Sequence, residues 1–235
     1  MKGREQILRA ATMVGLLALA LPTFCQQEAT RSATFTPPTV TFTLDFPGSE
    51  PDHYSITIAS DGHAAYESTS KLSADSDDEE SYHFDFTVSP ANRARIFDLA
   101  AKAGYFAGKI DSGKRHIAST GSKTLIYNDG QRRTSGAYNF SPLPAVQQLT
   151  ALFQSMSSTL ECGHRISYDL RYQRLALDEE LKHMEEMAKA NELEEIQAIV
   201  PILREVVADQ GVINVVRARA QRLIDAAGVS SASAH

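Results

Sequence analysis

The strongest constraint on this chain is a set of short segments that alternate apolar and polar residues with a period of two. SYHFDFTV places Tyr82, Phe84, Phe86 and Val88 on one side and His83, Asp85 and Thr87 on the other. VTFTLDF gathers Val40, Phe42, Leu44 and Phe46, and YSITIAS gathers Tyr54, Ile56 and Ile58. Period two describes a strand with one dry and one wet face. Ser60-Asp61-Gly62 supplies turn residues between YSITIAS and the returning run HAAYEST, which predicts a hairpin. KTLIYN, Asp129-Gly130 and RRTSGAYNF predict a second one. Such a chain builds an antiparallel sheet and must cover its dry face.

The cover is legible too. Ser89-Pro90 offers an N-cap followed by proline at the first helical position. The helix after it carries Ile96, Phe97, Leu99, Ala100 and Ala103 on one side, with Gly104 as its C-terminal cap. Ser141-Pro142-Leu143-Pro144 starts another helix, AVQQLTALFQSMSS. Beyond about residue 160 the pattern turns wholly helical. Leu170, Leu177, Leu181, Met184 and Ala188 recur at helical steps, then Ile196, Ile199, Val200, Leu203 and Val206, then Ile213, Val216, Ala220, Leu223 and Ile224. Pro201 is expected to kink or divide the middle helix. The expected fold is α+β: an antiparallel sheet with helices on one face over residues 39–160, followed by a C-terminal helical subdomain over 164–228 and a disordered tail over 229–235.

The N-terminus reads as an address. Lys2, Arg4 and Arg9 outweigh Glu5, an apolar run spans Ala10 to Leu21, and Pro22 breaks it. The run is shorter than the roughly 18 residues a membrane span needs, so residues 1–25 read as a cleaved secretory signal. Residues 26–38 read as a flexible leader ending in Pro37-Pro38. No stable membrane span is expected after cleavage, and the protein is expected in the periplasm or outside the cell. Removing Lys2, Arg4, Arg9 and Glu5 moves the formal charge from −6 to −8. That acidic balance argues against nucleic acid as a partner, since phosphate affinity needs a basic surface.

YFAGK (105–109), HIASTGSKTLIYNDG (116–130), YNFS (138–141) and RARAQRLI (217–224) resemble an uncharacterised family of exported, acidobacterial-type bacterial proteins of unknown function. The resemblance spans most of residues 80–227 and implies an exported, non-membrane domain. It assigns no binding or catalytic residue. DGHAAYES (61–68) is also loosely similar to small exported β-sheet domains with a DGxxxYE-type hairpin.

Chemistry-bearing motifs are sparse. GSKT (121–124) fails as a phosphate loop, because Ser122 separates Gly121 from Lys123 and the segment leads into a strand. Ser68-Thr69-Ser70-Lys71 matches S-x-x-K, but Ser68 is expected to end a strand and the partner motifs S-D-N and K-T-G are missing. Asp75, Asp77, Asp78, Glu79 and Glu80 have calcium-compatible oxygens, yet Glu80 stands where an EF-hand loop needs glycine. The run reads instead as a solvated loop. The sharpest site hypothesis is a transition-metal site on the wet sheet face. His63 and Glu67 from one strand would meet His83 and Asp85 from another if the strands are neighbours in a suitable register. Interleaved Arg165, Tyr168, Arg171, Tyr172 and Arg174 suggest either a partner surface or, more simply, tyrosines packing the tail helix onto the sheet.

With no complete catalytic set and no cofactor motif, the expectation is a non-catalytic binding or interaction module of the cell envelope, its partner another envelope protein met through the C-terminal helices. The alternative is an enzyme with a metal-assisted site on the sheet face. Cleavage has two candidate positions, after Cys25 or after Ala20 (Ala-Leu-Ala). Cleavage after Cys25 leaves Cys162 as the single thiol, so the intact mass of the exported protein will begin at Gln26 and show one alkylation. A mass beginning at Leu21, with alkylation only after reduction, would establish a Cys25–Cys162 disulfide instead.

Overall fold

A computed structural model describes residues 36–71, 79–114 and 117–232. Among these, six strands form one antiparallel sheet in the order β4-β3-β2-β1-β5-β6. They are β1 (Thr39–Asp45), β2 (His53–Ala59), β3 (His63–Lys71), β4 (Glu79–Thr87), β5 (Ser122–Asn128) and β6 (Arg133–Tyr138). The helices are α1 (Pro90–Lys102), α2 (Pro144–Tyr172), α3 (Leu177–Lys189), α4 (Val200–Ala208) and α5 (Asn214–Ala232). The α+β class expected from the alternating runs is the observed one. Residues 1–35, with the expected signal, Cys25 and most of the leader, lie outside the described residues, as do Asp75, Asp77 and Asp78. The tail expected to be disordered from 229 is helical as far as Ala232, where α5 ends.

Register converts the period-two pattern into a dry face. Gly136, Leu125, Phe42, Ile56, Tyr66 and Phe84 stand in one row across all six strands. The next row reads Tyr138, Lys123, Leu44, Tyr54, Ser68 and Tyr82. Helix α2 buries Val146, Leu149, Phe153, Met156 and Leu160. Phe153 stacks on Phe42 with ring centroids 5.2 Å apart and planes 2° from parallel. The opposite sheet face carries Thr41, Thr43, Ser55, Thr57, Glu67 and His83, all intermediate or exposed.

The helical pattern is divided differently from the expectation. The helix starting near Pro144 was expected to end before residue 160, and it runs 29 residues to Tyr172 instead. The boundary expected between 160 and 164 therefore falls inside one helix, and the buried residues on both sides of it belong to one cluster. Gly163 could have ended the helix; it is instead where α2 meets the 3-10 turn Ile196–Ile199. The break comes at Gln173, whose backbone leaves helical geometry (φ −140°) so that α3 can turn back. Pro201 divides its segment as expected, sitting in the first turn of α4 just after that 3-10 turn.

A buried carboxylate ties α1 to the C-terminal helices. Glu195, at left-handed φ 58°, accepts from the Ser89 backbone N–H (2.9 Å), Ser89 Oγ (2.7 Å) and Asn92 Nδ2 (2.7 Å). Ser89 is also the N-cap of α1, accepting from the Asn92 N–H. Burial is the largest influence on Glu195 and leaves its pKa raised despite these donors.

At Gly163, a Cβ would lie 2.6 Å from Ile199 Cγ2 and 3.2 Å from its Cβ, and Ile199 is fully buried. Helix propensity alone would make Gly163→Ala stabilising by about 1 kcal/mol. Overpacking against a β-branched side chain costs roughly 1–3 kcal/mol. Urea denaturation of Gly163→Ala should therefore show a net loss of stability; a gain would mean that the α2 contact is loose.

Candidate functional site: a cleft beside α2

The sheet's dry face becomes polar at one end. Ser68 occupies an inward position of β3, between Tyr54 and Tyr82 in the cross-strand row, and is 5% exposed. Helix α2 lays a matching polar stripe over it: Ser157, Glu161 and His164, at steps of four and three. Glu161 Oε1 accepts from Tyr66 Oη (2.6 Å) and from Ser68 Oγ (2.6 Å). Tyr66 Oη also shares a 3.0 Å hydrogen bond with Ser157 Oγ. Because the tyrosine proton goes to the carboxylate, Ser157 donates to the phenol oxygen.

The second carboxylate oxygen faces an imidazole. His164 Nδ1 lies 3.8 Å from Glu161 Oε2, and its Nε2 lies 3.8 Å from Glu80 Oε1. Both separations exceed hydrogen-bond range but are close enough for Coulombic attraction. The ring lies flat on Tyr82, with centroids 3.9 Å apart and planes 6° from parallel. These groups bound a cleft of about 290 Å³, with Ser68 and Glu161 at its floor and Tyr82 and His164 on its wall. Ser70, Glu80, Tyr168 and Asp169 stand around it.

Electrostatics follow from this packing. Burial, the largest influence on Glu161, raises its pKa; the approach of His164 and the bonds from Ser68 and Tyr66 outweigh it, and the net shift is downward. Burial and the neighbouring carboxylate push the Tyr66 phenol well above its ordinary value. Burial and Glu161 push Tyr82 up to about 12. Both phenols are neutral at physiological pH beside an ionised carboxylate, and Tyr66 is the one that donates to it.

The four residues expected to form a metal site are partly brought together. β3 and β4 are neighbours, with Glu67 directly opposite His83. His83 Nδ1 is 3.6 Å from Glu67 and Nε2 is 3.2 Å from Asp85. All three side chains are mostly exposed. His63 lies opposite Thr87, four residues along β3 from Glu67. At strand rise that is about 13 Å from the His83 position, so the two imidazoles do not converge. Among the described residues, no group of three or more His, Cys, Asp or Glu side chains is arranged to hold a metal ion.

Other motifs resolve into structure. Ser68 of the S-x-x-K match lies in the middle of β3 and donates to Glu161. Lys123 of GSKT is buried, its ammonium donating to Thr120 O (2.7 Å), Thr120 Oγ1 (2.8 Å) and Asn139 O (3.2 Å). Cys162 is a buried thiol, pushed up to about 12 by burial. Tyr168 and Tyr172 do not pack the tail onto the sheet. They contact each other with centroids 5.0 Å apart, and Tyr172 is 71% exposed. The α2 face that meets the sheet carries Glu161 and His164 at this height, and the tyrosines lie beyond it.

Sequence reasoning missed Tyr66, Ser68, Tyr82, Glu161 and His164 as a group. Two signals were present: a serine at an inward strand position, and a Ser157/Glu161/His164 stripe at helical spacing in an otherwise apolar helix. Neither identifies its partner, because β3 and α2 lie about 90 residues apart in the chain.

Because the folded pKa of Glu161 is depressed, its contribution to stability is present above the ordinary carboxylate pKa. It is lost as pH falls through the lower, folded value. Glu161→Gln should cost roughly 1–3 kcal/mol at neutral pH. Its deficit relative to the native chain should shrink below about pH 4. A deficit that stays constant from pH 7 to pH 3 would show that the negative charge is not what the two hydroxyls hold.

Compared with known proteins, the chain matches no family model and no curated protein.

Proposed function

We propose that this chain is an exported, non-catalytic binding module whose ligand enters the cleft between α2 and the β3–β4 edge. The observation that carries this reading is how the polar groups are spent. Ser68 and Tyr66 both give their protons to one oxygen of Glu161, and both ring nitrogens of His164 face carboxylates. A nucleophilic serine needs a base on its hydroxyl and a site for the oxyanion. Ser68 does have a carboxylate on its hydroxyl, but the serine is buried and Glu161, held below its ordinary pKa and already accepting from Tyr66, is a weak base, an arrangement that suits recognition. Export rests on the N-terminal sequence; among the described residues, no helix is long and apolar enough to cross a membrane.

The alternative of a metal-assisted enzyme on the sheet face loses support from the register, which separates His63 from His83. Contact with another envelope protein through the C-terminal helices keeps specific support. Tyr172, Leu175 (98% exposed), Ile213 and Val215 are large apolar side chains left in solvent. Arg174 pairs with Asp209 at 2.9 Å, which brings the α2–α3 connection beside the loop before α5 and sets Leu175 and Ile213 at one end of the helices.

The test is thermal denaturation of the mature chain against a panel of small cations, anions and neutral polar molecules. Ser70→Trp, which fills the cleft, is run in parallel. A ligand that raises the native Tm and fails to raise that of Ser70→Trp supports the cleft. Ligands that stabilise both proteins equally would remove it.

A further inference from the structure

The geometry points to a ligand class: we propose that the cleft binds a primary ammonium or guanidinium group carried on a short aliphatic chain. The inference rests on the binding-module reading and adds the sign and shape of the ligand.

Charge comes first. The cleft collects Glu161 at its floor and Glu50, Glu80 and Asp169 around it, against one guanidinium and one imidazole. Arg165 is already committed: its Nε and Nη2 donate to Glu180 Oε1 at 3.0 and 2.8 Å. Asp169 and Glu50 have no ion-pair partner among the described residues. An anion entering here would meet four carboxylates and no uncommitted guanidinium.

The wall supplies the second, independent argument. At 3.9 Å the stacked faces of Tyr82 and His164 cover each other, so the aromatic surface offered to a ligand is the outer surface of that stack and the half-exposed Tyr168 ring at the mouth. Aromatic faces attract ammonium and guanidinium groups and also accept methylene chains. Glu161 provides the third argument. Its Oε1 is filled by Tyr66 and Ser68, while Oε2 accepts no hydrogen bond among the described residues and has only the 3.8 Å approach of His164. The residue is 9% exposed and lines the cleft, so a donor reaching the floor meets an oriented, ionised acceptor. About 290 Å³ admits a chain of a few carbons and a charged head, not a large cofactor. A bare metal ion fits less well, because the carboxylates do not converge into a ligand set.

The cation has two sources, a free amine or a lysine or arginine side chain of a partner segment. Titration calorimetry on the mature chain should use 1,5-diaminopentane, N-acetyl-lysine methylamide and a lysine-containing peptide. The norleucine analogue serves as an uncharged isostere and glutarate as an anion. The expected result is saturable one-to-one binding of the cations, weakening with salt, with no binding of the isostere or glutarate. Glu80→Gln and Asp169→Asn, neither of them hydrogen-bonded to Glu161, should each weaken binding roughly three- to fivefold, with a smaller loss of Tm than Glu161→Gln causes. A tenfold preference for the peptide over the free amine assigns the ligand to a protein segment that also covers Tyr168 and Tyr172; equal affinity assigns it to a free amine.

Binding of glutarate or the norleucine analogue in place of the cations, blocked by Ser70→Trp, would overturn the ligand class and leave the cleft reading standing. Cation binding that neither Ser70→Trp nor the carboxylate variants alter would overturn both, as would no binding by any probe.

Discussion

The structure depends on α2 being buried along most of its length. Its N-terminal turns lie on the sheet, where Phe153 stacks on Phe42. Its later turns receive the 3-10 turn at Gly163, where the absence of a side chain lets Ile199 approach. Most helices bury one stripe and wet the rest. This one serves two neighbours, which is why the sheet and the C-terminal helices share a core.

Sharing a helix also explains where the polar site sits. At the end of the sheet the cross-strand row changes from apolar to Tyr54, Ser68 and Tyr82. There α2 must present something other than leucine. Glu161 answers that row, and a buried carboxylate is tolerable only when its oxygens are solvated by donors. Tyr66 and Ser68 supply them at one oxygen. The other stays toward the cleft, where the neighbouring groups are mostly acidic or aromatic. The site is therefore a by-product of packing that has acquired a definite electrostatic sign.

Glu195 shows the same physics in a structural role. It too is a buried carboxylate, but its oxygens accept from Ser89 and Asn92, with Gln197 adding a further donor. Its work is to hold the start of α1 against the C-terminal helices. The contrast lies in how the oxygens are used: Glu161 Oε2 accepts no hydrogen bond among the described residues, whereas both oxygens of Glu195 accept from neighbouring side chains and backbone.

The sequence alone determined the elements. Period-two runs at 40–46, 54–60 and 82–88, the turn residues Asp61-Gly62 and Asp129-Gly130, and the Ser89-Pro90 cap are local signals, each legible within one turn or one strand. Even Pro201 announced its break. What tertiary structure decided is everything that depends on which surfaces meet. It ran α2 through residues 160–164, because Gly163 is favourable only with Ile199 against it. It set Glu67 opposite His83 and left His63 four residues away, because register belongs to a strand pair and not to a strand. It brought Ser68 and Glu161 to 2.6 Å across 93 residues of chain. Periodicity reports which way a side chain faces; it carries no information about what it will face.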